Sequence, residues 1–260
     1  MQLAIVGTGM LGGAIARRLA ETRAGDAADI AVAGRGLPPG RLDGVPGIRE
    51  ADSPRAAIAG ADIVILAVPP AEAARLQVDC PGALVVSVMA GVTMDRLARI
   101  TGAARIVRAM CNPAAAQGLA YTPWVASGFV TGEDRALLRG LFLRLGAEDE
   151  VTDEGLIDVF TALTGPVPGL LAEVARGMIA HAEARGVPPA VADRAVRQLF
   201  LSSGHALAQG DETAADHVAG MLAYAGTTTA ALESLRALPL DQALARALDA
   251  ATERARSIAG

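Results

Sequence analysis

Three glycines, Gly7, Gly9 and Gly12, follow the apolar segment Leu3–Val6 with the spacing G-x-G-x-x-G. In this pattern the first glycine permits a tight turn, the second lets the backbone approach a diphosphate, and the third lets a helix pack against the strand. The free N–H groups and the dipole at the start of that helix favour an anion. We therefore predict a dinucleotide site formed by Gly7, Thr8, Gly9, Met10, Leu11 and Gly12.

The end of the second predicted strand, Ile30–Ala33, indicates which dinucleotide binds. An acidic side chain at this place would bind the ribose hydroxyls of NAD, whereas an arginine can pair with the 2′-phosphate of NADP. The chain has Gly34-Arg35 here. Arg35 therefore favours NADP(H), with NAD(H) as the alternative cofactor; the other interpretation is a solvated arginine in a loop.

Further candidates lie where predicted strands end. Because the carboxyl ends of parallel strands meet at one crevice, residues just beyond them are expected to reach the ligand. We assign five such residues, together with one at the start of a short helix, to the cofactor site: Ala67, Val68, Pro69, Ala90, Gly91 and Ser53. Asn112 follows another strand, and either orients the substrate or the nicotinamide or forms an Asx turn before Pro113.

Two breaks in the C-terminal half carry hydroxyl groups. Gly226-Thr227-Thr228 precedes an apolar helix, where hydroxyls and unpaired N–H groups form a natural carboxylate site. The alternative is simple capping of that helix. Thr164-Gly165 is a second break, which by itself indicates only a turn. The three histidines have no metal-ligand spacing, so we expect no metal site.

The order of elements predicts the fold class. Apolar strands alternate with helices through residues 1–150, which predicts a Rossmann-type, doubly wound parallel sheet. The acidic, turn-rich segment Gly146–Asp153 is predicted to join it to a second domain, residues 151–260, where the periodicity is helical only. The surplus apolar surface of these helices predicts burial against another copy of the chain, and the alternative is a self-contained bundle.

Composition excludes several classes of protein. The net charge of −5 argues against a broad nucleic-acid surface. All 23 basic residues are arginine, which excludes a lysine Schiff base and a Walker-type loop. We see no apolar run of membrane-span length and no signal peptide, so a cytoplasmic location is expected. Cys80 and Cys111 are expected to be free thiols.

The motifs, taken in order, resemble those of the pyrroline-5-carboxylate reductases over nearly the whole chain. The resemblance rests on Ile5–Gly12, Ile65–Pro70, Ser87–Thr93, Arg105–Pro113, Thr161–Gly165 and Gly226–Thr228. It implies a Rossmann domain and a helical domain that intertwines with its partner as a homodimer, sometimes within a larger ring. It also implies NAD(P)H-dependent reduction of a cyclic imine, 1-pyrroline-5-carboxylate to proline.

The resemblance also implies a substrate site. The substrate carboxylate would bind the loop Ala223–Thr228, with Thr228 near the ring nitrogen as a hydrogen-bond donor. The residues assigned to the substrate site are Asn112, Thr164, Gly165, Gly226, Thr227 and Thr228. Ala223 and Tyr224 stand where the family usually has Ser-Pro. A different or modified imine, or a cofactor-binding homologue without catalysis, therefore remain as alternatives.

Overall fold

The computed structural model describes residues 1–22, 29–34, 42, 44–76, 78–223 and 226–258. Within them, eight strands form one sheet. The strands are β1 (Leu3–Val6), β2 (Ile30–Ala33), β3 (Ile48–Glu50), β4 (Ile63–Leu66), β5 (Leu84–Ser87), β6 (Ile106–Ala109), β7 (Ala120–Ala126) and β8 (Gly146–Glu150). Their spatial order is β3-β2-β1-β4-β5-β6-β7-β8. Arg35 and Tyr224, on which two of the expectations above depend, lie outside the described residues.

The central strands are short, apolar and buried along their whole length. All four residues of β1, β2, β4, β5 and β6 are buried, as expected of parallel strands covered on both faces. Val6 of β1 is level with Ala33 of β2 and with Leu66 of β4. The carboxyl ends of these three strands therefore open at one edge of the sheet, where the strand order reverses between β1 and β4.

Helices cover both faces of the sheet. They are α1 (Met10–Glu21), α2 (Pro54–Ile58), α3 (Met94–Thr101) and α4 (Gly132–Leu145), and 3-10 turns lie at Pro70–Arg75 and Pro113–Gln117. One apolar cluster joins α1 and α4 to the sheet, and another joins α3 to the opposite face. The predicted fold class, a Rossmann-type sheet followed by helices, is confirmed, with one difference: β6 and β7 pair antiparallel.

The acidic segment predicted as a turn-rich junction is strand β8, which pairs in parallel with β7. Its acidic side chains are satisfied by partners on neighbouring elements. The Trp124 indole donates a hydrogen bond to Glu148 (2.6 Å), and Arg135 of α4 pairs with Glu150 (2.8 Å). The prediction of a junction here was wrong because composition does not show these partners, which allow acidic residues to occupy an outer strand.

By contacts, the chain divides into two compact units. The first comprises Met1–Gly165 together with Leu248–Gly260, and the second comprises Pro166–Ala247. This division differs from the sequence-based boundary after residue 150, because α5 (Gly155–Thr164) is attached to the sheet. Arg108 of β6, 2% exposed, pairs with Glu154 (3.3 Å) and Asp158 (2.5 Å), and Glu154 also accepts a hydrogen bond from the Met94 N–H at the start of α3 (2.7 Å). A buried arginine requires such partners.

The second unit is helical, and its helices leave much apolar surface exposed. They are α6 (Val167–Glu183), α7 (Pro189–Ala208), α8 (Ala214–Ala223), α9 (Thr227–Arg236) and the first part of α10 (Leu240–Ser257). In α6, all of whose residues are described, none is buried. By length and composition alone, Gly155–Glu183 could cross a membrane, with a mean hydropathy of 1.4 in its most apolar window, whereas the sequence was expected to contain no apolar run of that length. One such stretch is weak evidence, since helices that associate with another chain have the same character.

Candidate active site

A cavity of about 820 Å³ opens at the edge of the sheet where β1, β2, β4 and β5 end. Ten of the predicted cofactor residues line it: Gly7, Thr8, Gly9, Met10, Leu11, Ser53, Ala67, Val68, Pro69 and Ala90. Gly12 and Gly91 are not among the lining residues. Arg35 lies outside the described residues. The structure thus brings most of the predicted set together, and their contact with a cofactor stays a prediction.

The glycine loop has a geometry that only glycine permits at two positions. Gly7 has φ = 105°, and a Cβ built on it would lie 2.5 Å from the carbonyl carbon of Ala67. A Cβ on Gly12 would lie 1.8 Å from the carbonyl oxygen of Gly7, so the first turn of α1 packs directly against the loop. Gly9 differs, because a Cβ there meets no atom within 4 Å. Gly9 therefore faces open space beside the start of α1.

The start of α1 can hold an anion. Its N-cap is Gly9, which has no side chain to accept a hydrogen bond from the first turn, and that turn contains no acidic residue. The N–H groups of the first turn are therefore available to an anionic ligand, and the helix dipole adds positive potential. The loop backbone, the open Gly9 and the uncapped helix are the arrangement that binds the diphosphate of a dinucleotide.

The cavity has two different ends. Beside β2 it is lined by Gly34, Ala51, Asp52 and Ser53, and the Ser53 hydroxyl accepts a hydrogen bond from the Ala56 N–H (3.2 Å) as the cap of α2. Beyond β4 and β5 the lining is apolar apart from Glu72 in the turn that follows β4. The apolar lining residues that the sequence did not reveal include Val88, Met89, Met110 and Ile258. Val88, Met89 and Met110 follow the ends of strands, so the reasoning that identified Val68 could also have identified them. No feature of the sequence indicated Ile258.

Asn112 makes two contacts with the chain itself. Its Oδ1 accepts a hydrogen bond from the Ala114 N–H (3.1 Å), which is the Asx turn left open as an alternative above. Its Nδ2 donates to the carbonyl of Thr164 (3.3 Å). The Thr164 hydroxyl donates in turn to the carbonyl of Phe160 (2.9 Å), and Thr164 is buried. Asn112 thus fixes the end of α5, and its role toward the substrate stays a prediction.

A second cavity, of about 480 Å³, lies within the helical unit at the start of α9. It is lined by Gly226, Thr227 and Thr228 together with Glu212, Asp216, His217, Gly220 and Met221. Gly226 is the N-cap of α9 and has no side chain to cap it. Hydroxyls and helix-start N–H groups therefore share one cavity, as the sequence predicted for a carboxylate site. The sequence analysis did not predict the ionisable residues of this cavity, which are Glu212 just before α8 and Asp216 and His217 within it. His217 had been interpreted as a surface or packing residue.

Comparison with known families assigns both halves of the chain. Residues 154–258 match the family described as pyrroline-5-carboxylate reductase dimerisation, and residues 2–91 match the family described as NADP oxidoreductase, coenzyme F420-dependent. A pyrroline-5-carboxylate reductase from Thermus thermophilus is 32% identical over 98% of this chain and 97% of its own length. The chain belongs to the pyrroline-5-carboxylate reductase family. The match to the dimerisation family covers the helical part of the chain, including the stretch Gly155–Glu183.

Solved structures agree with this fold. A pyrroline-5-carboxylate reductase from Coxiella burnetii superposes with a TM-score of 0.86 at 24% identity, over 100% of this chain and 98% of that chain. A pyrroline carboxylate reductase from Plasmodium falciparum, solved with NADP bound, gives a TM-score of 0.83 at 19% identity, over 100% and 98%. At these identities the likeness establishes the fold alone.

Proposed function

We propose that the protein reduces 1-pyrroline-5-carboxylate to proline with NADPH. The observation that carries the proposal is the uncapped start of α1 beside the open Gly9, in a cavity large enough for a dinucleotide. Membership of the reductase family supplies the reaction, and the hydroxyl-lined cavity at Thr227 and Thr228 offers donors for a carboxylate and a ring nitrogen.

The described residues fit a nicotinamide dinucleotide. The loop Gly7–Leu11 would hold the diphosphate, the residues beside β2 would hold the adenosine, and the apolar end beyond β4 and β5 would hold the nicotinamide. When bound, the reduced nicotinamide supplies a hydride to the imine carbon. The apolar side chains of Val68 and Met89 offer water no hydrogen-bond partner at this end of the cavity.

The reaction asks little of acidic or basic side chains. A cyclic imine is protonated far more readily than a ketone, so alignment of the reactants supplies most of the rate. Thr228 would donate a hydrogen bond to the ring nitrogen, and it serves better as a donor or relay than as an independent acid, because a hydroxyl is a poor acid at neutral pH. Asn112 would act by holding Thr164 and Gly165 in place.

The direct test measures consumption of NADPH with 1-pyrroline-5-carboxylate and formation of proline by the purified protein. Equal loss of NADPH and gain of proline is expected. Arg35→Ala tests the preferred cofactor, since it should raise the KM for NADPH far more than the KM for NADH. Equal changes for both cofactors would remove Arg35 from the 2′-phosphate site.

A second candidate function is reduction of an imine that has no carboxylate. The observation that favours it is the pair of acidic residues, Glu212 and Asp216, in the cavity that contains Thr227 and Thr228. Negative charge there would favour a cationic iminium and oppose a carboxylate. Comparison of 1-pyrroline-5-carboxylate with 1-pyrroline as substrates separates the two candidates, because the ratio of their kcat/KM values reports directly on recognition of the carboxylate.

We further propose that the protein acts in the cytoplasm as a homodimer through its helical domain, with a larger ring as an extension of the same contact. The support is the dimerisation family match together with exposed apolar side chains such as Leu171, Val174 and Leu201. Association through this surface buries apolar area that a single chain leaves in water. Sedimentation equilibrium should give at least twice the mass of the chain, and a monomer at micromolar concentration would contradict the proposal.

A further inference from the structure

The C-terminal end of α10 is anchored on the first compact unit. The helix begins at Leu240, and residues Leu248–Gly260 belong to the unit that contains the sheet. Ala255 is buried, and Arg256 Nε lies 4.0 Å from Asp158 Oδ2 of α5. The anchoring is mainly apolar, since Arg256 is largely exposed and an exposed ion pair contributes little. The position of the next residues is therefore set by packing against the sheet.

Ile258, just after α10, forms part of the wall of the 820 Å³ cavity. It is half-buried and packs against the apolar cluster on the α3 face of the sheet, whose other partly buried members include Val68, Leu76 and Met94. Val68 and Leu76 line the same cavity. Ile258 thus lines the same cavity as Val68 and Leu76, although it lies more than 180 positions from them in sequence.

The contacts of Ile258 and of the preceding end of α10 show which end of the cavity Ile258 occupies. Ala33 and Ala51, beside β2, belong to a separate small cluster. Ile258 packs against a different cluster, on the α3 face, and Arg256, two residues before it, lies 4.0 Å from Asp158, which pairs with Arg108 of β6 on the far side of the sheet from β2. In a doubly wound sheet the dinucleotide crosses the switch point, with its adenosine toward β2 and its other half toward the strands on the far side. Ile258 is therefore at the end of the cavity opposite the adenosine.

We propose that Ile258 contacts the nicotinamide half of the bound cofactor and helps to position its ring. The inference depends on the proposed cofactor binding and adds a residue from the opposite end of the chain. An apolar side chain in this place covers one side of the nicotinamide riboside and shields it from water without competing for its polar groups. Removing the three outer carbons of Ile258 should therefore weaken binding of the whole dinucleotide but not binding of its adenosine half.

The experiment compares two ligands by equilibrium titration. NADPH carries both halves, whereas adenosine 2′,5′-bisphosphate carries only the adenosine half. Ile258→Ala should raise the Kd for NADPH by about five- to twentyfold, less than full burial of three carbons would give, because the cofactor can cover only the part of the side chain that is still exposed. The Kd for the bisphosphate should change by less than about twofold. Ile258→Leu, which keeps the apolar volume, should restore NADPH binding.

Two results would overturn the proposal: an unchanged Kd for NADPH in Ile258→Ala, or equal weakening of both ligands. Thermal melting of each variant without ligand shows whether it is folded. If Ile258→Ala is not folded, Ile258→Val takes its place, and it should raise the Kd for NADPH more than the Kd for the bisphosphate; equal changes for the two ligands would contradict the proposal. Failure of the wild type to bind NADPH would instead refute the proposed function. The two failures are therefore distinguishable.

Discussion

Gly9→Ala should separate cofactor binding from folding. Gly9 has φ = −65° and ψ = −166°, which alanine adopts readily, and a methyl group on it meets no atom within 4 Å. The variant should fold as the wild type does, with a free energy of unfolding within about 0.5 kcal/mol of it.

The same methyl group would stand where the diphosphate approaches the start of α1. Keeping the diphosphate away from these N–H groups removes hydrogen bonds to a charged ligand, and each is worth about 1.5–3 kcal/mol. The Kd for NADPH should therefore rise by about ten- to a hundredfold for each bond lost. Titration of NADPH by fluorescence gives the Kd, and urea unfolding gives the stability.

Two further glycine variants complete the design. A methyl group on Gly12 would lie 1.8 Å from the Gly7 carbonyl oxygen, so Gly12→Ala must move the backbone and should lower both stability and affinity. Gly140 lies within α4, and a methyl group on it meets no atom within 4 Å, so Gly140→Ala should change neither folding nor binding adversely. Wild-type affinity for NADPH in Gly9→Ala would refute the placement of the diphosphate over α1.

The remaining predictions concern stability and the substrate site. Asp134→Asn removes the charge that pairs with Arg105 at 2.8 Å and weakens the capping box of α4, and should lower the free energy of unfolding by about 1–2 kcal/mol at neutral pH. Although burial acts to raise it, hydrogen bonds from Thr131 and the charge of Arg105 lower the pKa of Asp134 overall. The stabilisation is therefore present above the ordinary pKa of a carboxyl group and is lost as the pH falls through the lowered pKa, so urea unfolding should show the wild-type advantage shrinking in acid; a constant difference would contradict the assignment. Arg108→Met leaves two carboxylates without their buried partner and should cost about 3–5 kcal/mol in urea unfolding, whereas unchanged stability would show that the pairs contribute nothing net. Thr228→Val should lower kcat by about tenfold or more without changing the Kd for NADPH, Thr228→Ser should retain most of the activity, and full turnover by the valine variant would remove Thr228 from the reaction.

Local patterns were sufficient to predict the fold class and the cofactor loop. The strand Leu3–Val6, the glycine spacing and the following helix are adjacent in sequence, and each of these residues has one structural role that its type determines. The strand-end argument also brought Val68 and Ala90 to the cavity, because the register of a parallel sheet aligns the ends of neighbouring strands.

Features that depend on distant partners could not be predicted. Strand β8 is acidic, and it can join the sheet because Trp124, Arg135 and Arg139 satisfy its carboxylates. The extent of the first unit depends on Arg108, whose acidic partners lie 46 and 50 residues away. Ile258 reaches the cavity only through the course of α10. None of these contacts has a periodicity or motif that marks it in the sequence.

The most direct test of the central claim is a stoichiometric assay with a limiting amount of 1-pyrroline-5-carboxylate and an excess of NADPH. The loss of nicotinamide absorbance and the proline formed should each equal the imine supplied. Tight binding of NADPH with no loss of absorbance and no proline would contradict the account, and would leave a cofactor-binding protein without this reaction.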